Sequence, residues 1–294
     1  MKEYEHNDRV MPFILDDKAK TIGDKVFVRH NNDRVTYGEL SEASNKVANS
    51  LISELNVGKG DNIAVMLPNC VDFFYAQFGI AKTGAVMVPI NIQAKLDLLT
   101  HFLNACDAEI ILIDEERLPL IKSIENNIPA IKTLILRSTG SKTDRGTFTR
   151  NFNIVPFQKL FTAPAKPPQI DLNWYDPVDI FYTSGTTGAS KGIVLPYNHH
   201  YTFGLGIAKN SRLGPQDIMY ICLPLYHGMG SYMSIMPMLL CEGSTAIANK
   251  FSASGWLKGI REYGATATWA MYTMAPILMK QPVKKDDADN PLKV

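Results

Sequence analysis

The hydrophobic pattern in the first half of the chain switches repeatedly between a helical period and short apolar runs. From Leu40 to Leu55 apolar residues recur at steps of three and four, which is the period of an amphipathic helix. Thr36 and Glu39 just before them have the spacing of a capping box, and Gly58 is placed to end the helix. We therefore predict a helix that stops at Gly58.

The same switching continues as far as residue 136. Short apolar runs predict buried strands at 63–67, 86–90, 110–113 and 133–136. Helical periods between them predict helices at 69–84, capped by Asn69, and at 96–105 and 118–126. Strands that alternate strictly with helices pair in parallel, and the helices cover the sheet. The pattern therefore predicts an α/β fold with mostly parallel sheets flanked by helices.

A change of composition separates two parts of the chain. Residues 137–150 are rich in Ser, Thr, Gly and charge, and residues 162–169 are rich in proline. We therefore predict a seam near residue 170, between a first α/β lobe at 1–170 and a second at 171–294. In the second lobe the pattern predicts strands at 180–183, 193–195, 219–223, 245–248 and 266–269, and helices at 198–212, 230–240, 253–263 and 271–280.

The most specific segment of the chain runs from Tyr182 to Gly192, Y-T-S-G-T-T-G-A-S-K-G, directly after a predicted strand. It combines three glycines, several hydroxyl side chains and one lysine. Glycines let backbone N–H groups turn toward phosphate oxygens, hydroxyls donate further hydrogen bonds, and the lysine adds positive charge. This composition predicts a loop that wraps a chain of phosphates.

Two other interpretations of this segment compete with a phosphate loop. A Walker A loop would need a glycine where Ser190 stands and a Ser or Thr where Gly192 stands, so the spacing opposes it. A hairpin without a ligand is compatible with the turn-prone pairs at 184–185 and 187–188. Plain turns seldom combine so many hydroxyls with a lysine, so the phosphate loop is favoured.

Composition and charge exclude several classes of protein. With 294 residues, 46% hydrophobic and 20% charged, the chain is typical of a globular protein with a sizeable core. A net charge of +1 gives no sign of nucleic-acid binding, and the longest apolar stretch, 232–241, is about half of a membrane span. Four cysteines without metal-site spacing, and a charged amino terminus unlike a signal peptide, predict a cytoplasmic protein.

The segment from Tyr182 to Gly192 resembles the phosphate-loop signature Y-T-S-G-T-T-G-x-x-K-G of the adenylate-forming (AMP-binding) superfamily of acyl-CoA synthetases, luciferases and peptide-synthetase adenylation domains. Every fixed position matches. Supporting similarities occur at 36–40, 60–65, 82–91, 224–227 and 263–266. Within the superfamily, the amino-terminal half is most similar to crotonobetaine/carnitine-CoA and medium-chain acyl-CoA ligases. The resemblance implies two stacked α/β lobes.

The resemblance also implies a reaction. ATP would activate a small-molecule carboxylic acid to an acyl-adenylate, and coenzyme A would then take the acyl group as a thioester, with Mg²⁺ as the metal and fatty acid or carnitine metabolism as the setting. The residues implied to hold the β- and γ-phosphates are Ser184, Gly185, Thr186, Thr187, Gly188 and Lys191. Thr183 is implied to lie near the metal. Lys191 is implied to be catalytic, because a cation stabilises the charge that gathers on the leaving pyrophosphate.

His227 is the second implied catalytic residue. The resemblance places it beside the carboxylate of the acid, and the glycines that follow it suit the close approach of a ligand. The alternative is a histidine at a strand end whose ring is satisfied by the backbone. Trp269, Met271 and Tyr272 fit either an acyl pocket or the core.

The adjacent residues His199 and His200 invite a metal-site interpretation. Neighbours on a helix do not face each other, and the chain lacks the H-E-x-x-H spacing of a zinc helix. We therefore expect capping or surface roles for this pair.

Several motifs of the superfamily have no counterpart in residues 1–294. They are an adenine-binding segment, a Tyr-Gly-x-Thr-Glu motif whose glutamate binds magnesium, an aspartate that holds the ribose, and a carboxy-terminal domain with a catalytic lysine. We therefore expect this chain to be the amino-terminal part of a ligase and to turn over little alone. The alternative is a non-catalytic nucleotide- or acyl-binding module. The sequence leaves open the acid, the thiol acceptor and whether the protein is a homo-oligomer.

Overall fold

The computed structural model of the chain describes residues 1–140, 148–183 and 190–294. In these residues helices flank two mostly parallel sheets, which confirms the predicted α/β fold class. The α-helices are α1 (Met11–Ile22), α2 (Tyr37–Leu55), α3 (Val71–Thr83), α4 (Leu96–Ala105), α5 (Leu118–Ile124), α6 (Tyr197–Asn210), α7 (Tyr232–Cys241), α8 (Trp256–Tyr263) and α9 (Met274–Met279). The strands are β1 (Val26–His30), β2 (Asp33–Thr36), β3 (Asn62–Met66), β4 (Val86–Pro89), β5 (Ile110–Asp114), β6 (Thr133–Arg137), β7 (Asn153–Pro156), β8 (Pro177–Thr183), β9 (Lys191–Pro196), β10 (Ile218–Ile221), β11 (Ser244–Ile247) and β12 (Ala267–Thr268).

The larger sheet has seven strands in the order β7-β6-β5-β3-β4-β8-β9. Every neighbouring pair is parallel except β8 and β9, which form an antiparallel hairpin. All five residues of β5 are buried, as expected for a parallel strand covered on both faces. Leu99 and Leu103 of α4 and Ile121 of α5 are fully buried in the core cluster that includes this strand. The continuous apolar run of β5 and the apolar positions of α4 and α5 are thus explained by the packing of helices on the sheet.

The smaller sheet has five strands in the order β12-β10-β11-β1-β2. Its pairs are parallel except β1 and β2. Val28 of β1 is paired with Thr245 of β11, far along the chain. The Val294 N–H donates to the Thr266 carbonyl oxygen, and the Thr268 N–H donates to the Val294 carbonyl oxygen, so residue 294 lies alongside β12.

The chain divides into two compact units, each discontinuous in sequence. One contains residues 1–40, 69–71 and 198–294, and with them the smaller sheet; the other contains residues 41–68 and 72–197, and with them the larger sheet. The strands on either side of the predicted phosphate loop, β8 and β9, belong to the second unit, in which β8 pairs in parallel with β4. The lobes at 1–170 and 171–294 remain a prediction of domain organisation that this grouping does not reproduce.

The start of α2 has the geometry that its sequence predicts. The Thr36 N–H donates to the Glu39 carboxylate at 2.8 Å, and the Glu39 N–H donates to the Thr36 hydroxyl oxygen at 3.1 Å. These reciprocal bonds satisfy backbone donors that the helix itself leaves without partners. The predicted capping box is confirmed.

Two polar residues differ from their predicted roles. The described side-chain hydrogen bonds of Asn69 go to residues 223, 225 and 248 instead of to the start of α3. His200 is fully buried in α6, and its ring stacks on Tyr232 with 4.4 Å between centroids. The predicted surface role is therefore wrong for His200. Both differences come from packing between segments distant in sequence.

Burial of His200 has a consequence for stability. Burial, together with a smaller effect of nearby His199, lowers the pKa of this imidazole from an ordinary value of 6.5 to about 3. Between these pH values the unfolded chain binds more protons than the folded chain, so acid favours unfolding. We expect the free energy of unfolding to fall below about pH 6.5, with a contribution from His200 of up to about 1.4 kcal/mol per pH unit.

The matched variant for this prediction is His200→Phe, which keeps an aromatic ring against Tyr232 and does not titrate. Urea unfolding at a series of pH values is expected to give a shallower pH dependence for the variant than for the parent. Above about pH 6.5 the free energies of unfolding of the parent and the variant should depend on pH with the same slope. Parallel curves across the acidic range would contradict the prediction.

Candidate active site

The end of β8 and the start of β9 form the base of the predicted phosphate loop. In this hairpin Thr183 is paired with Lys191, and Tyr182 with Gly192. Paired Cα atoms of antiparallel strands lie about 4.5–5.5 Å apart, so the fold brings Thr183 and Lys191 together. Both residues are exposed. The hairpin therefore presents one hydroxyl and one ammonium group where the loop begins and ends.

Residues 184–189 of the predicted loop fall outside the described residues. They include the predicted phosphate contacts Ser184, Gly185, Thr186, Thr187 and Gly188. Their roles stay predictions. At the edge of the loop, no carboxylate in the described part of the chain forms an ion pair with Lys191. An ammonium group without an acidic neighbour keeps its full attraction for an anionic ligand.

Two contacts with α4 support the hairpin. The ring of Tyr182 packs on Phe102 with 4.6 Å between centroids, and its hydroxyl donates to the Phe102 carbonyl oxygen at 3.3 Å. Burial raises the pKa of Tyr182 to about 12, so this hydroxyl stays protonated near neutral pH. His101 Nε2 lies 3.2 Å from the Ser190 carbonyl oxygen, next to Lys191. His101 was not predicted, because no sequence motif marks it.

The hydroxyl oxygen of Thr183 is the type of ligand that Mg²⁺ accepts where the protein supplies few ligands. Within the described residues there is no group of three or more His, Cys, Asp or Glu side chains that could hold a metal. Mg²⁺ prefers oxygen ligands, keeps several waters and binds substrate phosphates together with few protein groups. The exposed Thr183 hydroxyl could serve as one such ligand. Its role at the metal stays a prediction.

His227 belongs to the other unit, in the turn between β10 and α7. Its N–H donates to the Pro224 carbonyl oxygen at 3.0 Å, and its own carbonyl oxygen accepts from the Ser231 N–H at 2.9 Å. The Met229 N–H donates to His227 Nδ1 at 3.3 Å. The neutral ring therefore carries its proton on Nε2. Because the residue is exposed, this Nε2–H is available to donate to an anionic ligand.

The contact between His227 and Met229 bears on the alternative role of a ring satisfied by the backbone. The described backbone contact satisfies Nδ1. It also fixes the tautomer, so the same contact that satisfies one nitrogen prepares the other as a donor. The geometry is compatible with the predicted role of His227 beside a carboxylate.

Gly230 closes the turn that carries His227. A Cβ atom at residue 230 would lie 2.2 Å from the Pro224 carbonyl oxygen, a contact that requires the backbone to move. We expect Gly230→Ala to lower the free energy of unfolding by about 1–3 kcal/mol, because the close approach of the two backbone segments would be lost. Urea denaturation measures the difference.

Gly206→Ala is the matched control for this change. A Cβ at Gly206 in α6 meets no atom within 4 Å. Alanine in a helix is favoured over glycine by up to about 1 kcal/mol, so the control should be neutral or slightly stabilising. Equal effects of the two substitutions would contradict the proposed close approach at Gly230.

The three candidates for an acyl pocket separate in the structure. Trp269 and Met271 are partly buried and pack against the core cluster of the smaller sheet, which includes Tyr220 and Ile260. Tyr272 is 93% exposed. The core interpretation therefore holds for Trp269 and Met271, and a role in an acyl pocket stays a prediction for all three.

A polar cavity of about 370 Å³ lies within the larger-sheet unit. It is lined by the first residues of β3, β5, β6 and β7, at the amino edge of the larger sheet. Thr183 ends β8, which runs parallel to those strands, so the predicted phosphate loop lies at the carboxyl edge. Ligands of open α/β sheets bind at the carboxyl edge, and we place the candidate site there.

Within residues 1–140, 148–183 and 190–294, no helix combines the length and the apolar character that a membrane crossing requires.

The four cysteines, Cys70, Cys106, Cys222 and Cys241, are buried free thiols. Burial raises the pKa of three of these thiols, those of Cys106, Cys222 and Cys241, to about 11. These thiols are thus mostly protonated near neutral pH, the form in which a cysteine is a poor nucleophile.

Comparison of the chain with known proteins shows similarity over most of its length. It is 29% identical to a crotonobetaine/carnitine–CoA ligase of Proteus mirabilis over 266 residues, which is 88% of this chain and 49% of the relative. It is 26% identical to long-chain fatty acid transport protein 2 of Rattus norvegicus over 97% of this chain and 46% of the relative. The chain thus spans about half the length of these relatives.

Solved structures show the same fold. A long-chain-fatty-acid–CoA ligase from Archaeoglobus fulgidus superposes with a TM-score of 0.81 at 20% identity, over 94% of this chain and 54% of that one. An anthranilate–CoA ligase in complex with anthranoyl-AMP superposes with a TM-score of 0.77 at 21% identity, over 92% of this chain and 50% of that one. The sequence profile of the AMP-binding enzymes matches residues 15–294, and the chain therefore belongs to that family.

Proposed function

We propose that this protein activates a carboxylic acid with ATP and transfers the acyl group to coenzyme A. In the first step a carboxylate oxygen attacks the α-phosphorus of ATP and the bond to the β-phosphate oxygen breaks, giving acyl-adenylate and pyrophosphate. In the second step the coenzyme A thiol attacks the acyl carbon, the thiol proton leaves to solvent, and AMP departs. The thioester is the product.

The main support for this proposal is the hairpin of β8 and β9. It places Thr183 opposite Lys191 across a loop rich in glycine and hydroxyl groups, in a chain that belongs to the AMP-binding enzymes. The first step brings one anion against another and gathers charge on the pyrophosphate. A mobile ammonium group and backbone N–H groups offset both effects. We assign this role to Lys191, and phosphate binding to residues 183–188, with Mg²⁺ bound through the Thr183 hydroxyl and supplying further positive charge on the phosphates when present.

We assign a separate role to His227. Its exposed Nε2–H can donate to a carboxylate oxygen of the acid, because Nδ1 is occupied by the Met229 N–H. A donor at this point would orient the carboxylate without removing its charge, so the nucleophile keeps its reactivity. The relatives named for crotonobetaine, carnitine and long-chain fatty acids define the first acids to test.

The experiment is exchange of labelled pyrophosphate into ATP, with the protein as its gene encodes it, Mg²⁺ and a panel of acids. The panel contains crotonobetaine, carnitine, and short-, medium- and long-chain fatty acids. Acid-dependent exchange is expected, followed by formation of an acyl-CoA when coenzyme A is added. Absence of exchange with every acid would refute the adenylation step. Exchange without thioester would refute coenzyme A as the acceptor.

The chain of residues 1–294 covers about half of its relatives, and we propose that it binds nucleotide weakly and turns over little by itself. A non-catalytic binding module is the second candidate function, because the β8–β9 hairpin and the fold are compatible with ligand binding without catalysis. Saturable binding of MgATP without exchange by the complete protein would favour that candidate. The buried free thiols are consistent with the cytoplasm, which we propose as the location.

A further inference from the structure

Asn69 joins its own segment to two others within the smaller-sheet unit, at residues 223–225 and at residue 248. The residue is 7% exposed. The Nδ2 group donates to the carbonyl oxygens of Leu223 and Ala248, each at 2.9 Å, and Oδ1 accepts from the Leu225 N–H at 2.8 Å. Residues 69–71 are grouped with this unit although the residues on either side of them belong to the other.

The chemistry of the asparagine amide matches these partners. The side chain faces two backbone carbonyl oxygens, which need donors, and one backbone N–H, which needs an acceptor. An amide offers two N–H donors and one carbonyl acceptor. A carboxylate in the same place would set its oxygens against two carbonyl oxygens, and an apolar side chain would remove these partners from three backbone groups that are buried or partly buried. The position therefore favours an asparagine over a carboxylate or an apolar side chain.

These bonds fix the segment that leads into the His227 turn. Leu223 follows β10 and Ala248 follows β11, so Asn69 ties the carboxyl ends of two neighbouring strands. Leu225 is fully buried and lies two residues before His227. From there the turn is closed by the bond between the His227 N–H and the Pro224 carbonyl oxygen. The bond from the Leu225 N–H to Asn69 thus holds the backbone two residues before His227.

We propose that Asn69 is the positioning residue for His227, so that it controls how well the acid's carboxylate is bound and oriented. The inference rests on the proposed role of His227 in acid activation. A donor displaced by a fraction of an ångström orients the carboxylate poorly while ATP still binds. Substitution of Asn69 therefore raises KM for the acid and lowers kcat, and leaves KM for ATP nearly unchanged.

The test compares Asn69→Asp and the milder Asn69→Ser with Asn62→Asp, in the protein as its gene encodes it. Asn62 is a matched control because its Nδ2 also donates to a backbone carbonyl oxygen, that of Cys106 at 2.8 Å, in the larger-sheet unit. Folding is checked by circular dichroism. We expect kcat/KM for the acid to fall about tenfold to a hundredfold in the Asn69 variants and by less than about threefold in the control.

A double-mutant cycle separates positioning from a general structural effect. In a His227→Ala background, Asn69→Ser should cost little further activity, because the residue that it positions is gone. An equal loss in both backgrounds, or a matching rise in KM for ATP, would overturn the inference.

A second readout is independent of catalysis. The ¹³C–¹H signal of the His227 ring, assigned by its absence in His227→Ala, should shift in Asn69→Ser and stay in place in Asn62→Asp. An unmoved signal overturns the positioning role even if the enzyme is active. A shifted signal in a protein that exchanges no pyrophosphate would support positioning while refuting the proposed function, so the two failures are distinguishable.

Discussion

Replacement of Lys191 by alanine is expected to lower the rate of pyrophosphate exchange by about 10²–10³-fold, with a much smaller change in KM for ATP. Lys191 lies at the end of the predicted phosphate loop, paired with Thr183, and no carboxylate in the described residues forms an ion pair with it. Its ammonium group can therefore follow the charge as it gathers on the leaving pyrophosphate. An interaction that strengthens in the transition state affects kcat more than ground-state binding. Steady-state exchange at varied ATP and saturating acid measures both quantities.

Two further variants define this effect. Lys191→Arg keeps the charge but replaces a compact ammonium by a planar fork, so we expect partial activity. Lys258→Ala removes an exposed lysine of α8 that pairs with Glu262 at 3.5 Å, and should leave exchange unchanged. A loss below about tenfold for Lys191→Ala, or a loss confined to KM for ATP, would contradict the proposed catalytic role.

Secondary structure was predictable where a local signal sets the boundaries of an element. The predicted helix at 96–105 is α4, and the capping box at Thr36 and Glu39 marks the start of α2. Interior parallel strands were predictable as well, because burial on both faces leaves a continuous apolar run, as in β5. In each case, the information lies within a few residues of the element.

Elements whose stability comes from distant partners were not predicted. β1 is short and is held by β11, which lies far along the chain. β7 is a four-residue edge strand that ends in a proline, a residue that weakens a strand signal. In α1 the helical period is interrupted by Lys18, a charged residue at a buried position. Local pattern cannot identify such elements, because their partners are supplied by the tertiary fold.

The residues of the candidate site also differ in whether the local sequence could predict them. The predicted phosphate loop and the glycines around His227 stand out in the local sequence, since tight turns and anion contacts favour particular residue types. The supporting contacts of His101 and Asn69 do not, because each is a single polar side chain whose partners are backbone atoms from other segments. Asn69 was assigned to a helix cap for this reason. The sequence therefore indicates the chemistry of the site, and the fold supplies its support.

The buried ion pair between Lys18 and Glu242 leads to the second large effect. Lys18 Nζ lies 2.7 Å from Glu242 Oε1, and their side chains are 2% and 33% exposed. Removal of one partner from a buried pair leaves a charge without compensation, which costs about 3–5 kcal/mol in a fully buried pair. Because Glu242 is partly exposed and water can reach it, we expect Glu242→Ala to lower the free energy of unfolding by about 2–3 kcal/mol.

The cause of that loss can be tested with the reciprocal change. Lys18→Met replaces the buried ammonium by an apolar side chain of similar length, and hydrophobic replacement of a buried ion pair is often neutral. The double variant Lys18→Met/Glu242→Ala should therefore be more stable than Glu242→Ala alone, although it contains one more substitution. Glu262→Ala, which breaks an exposed pair with Lys258, should cost less than about 1 kcal/mol. If urea denaturation showed equal losses for Glu242→Ala and the double variant, the buried charge of Lys18 would not be the cause.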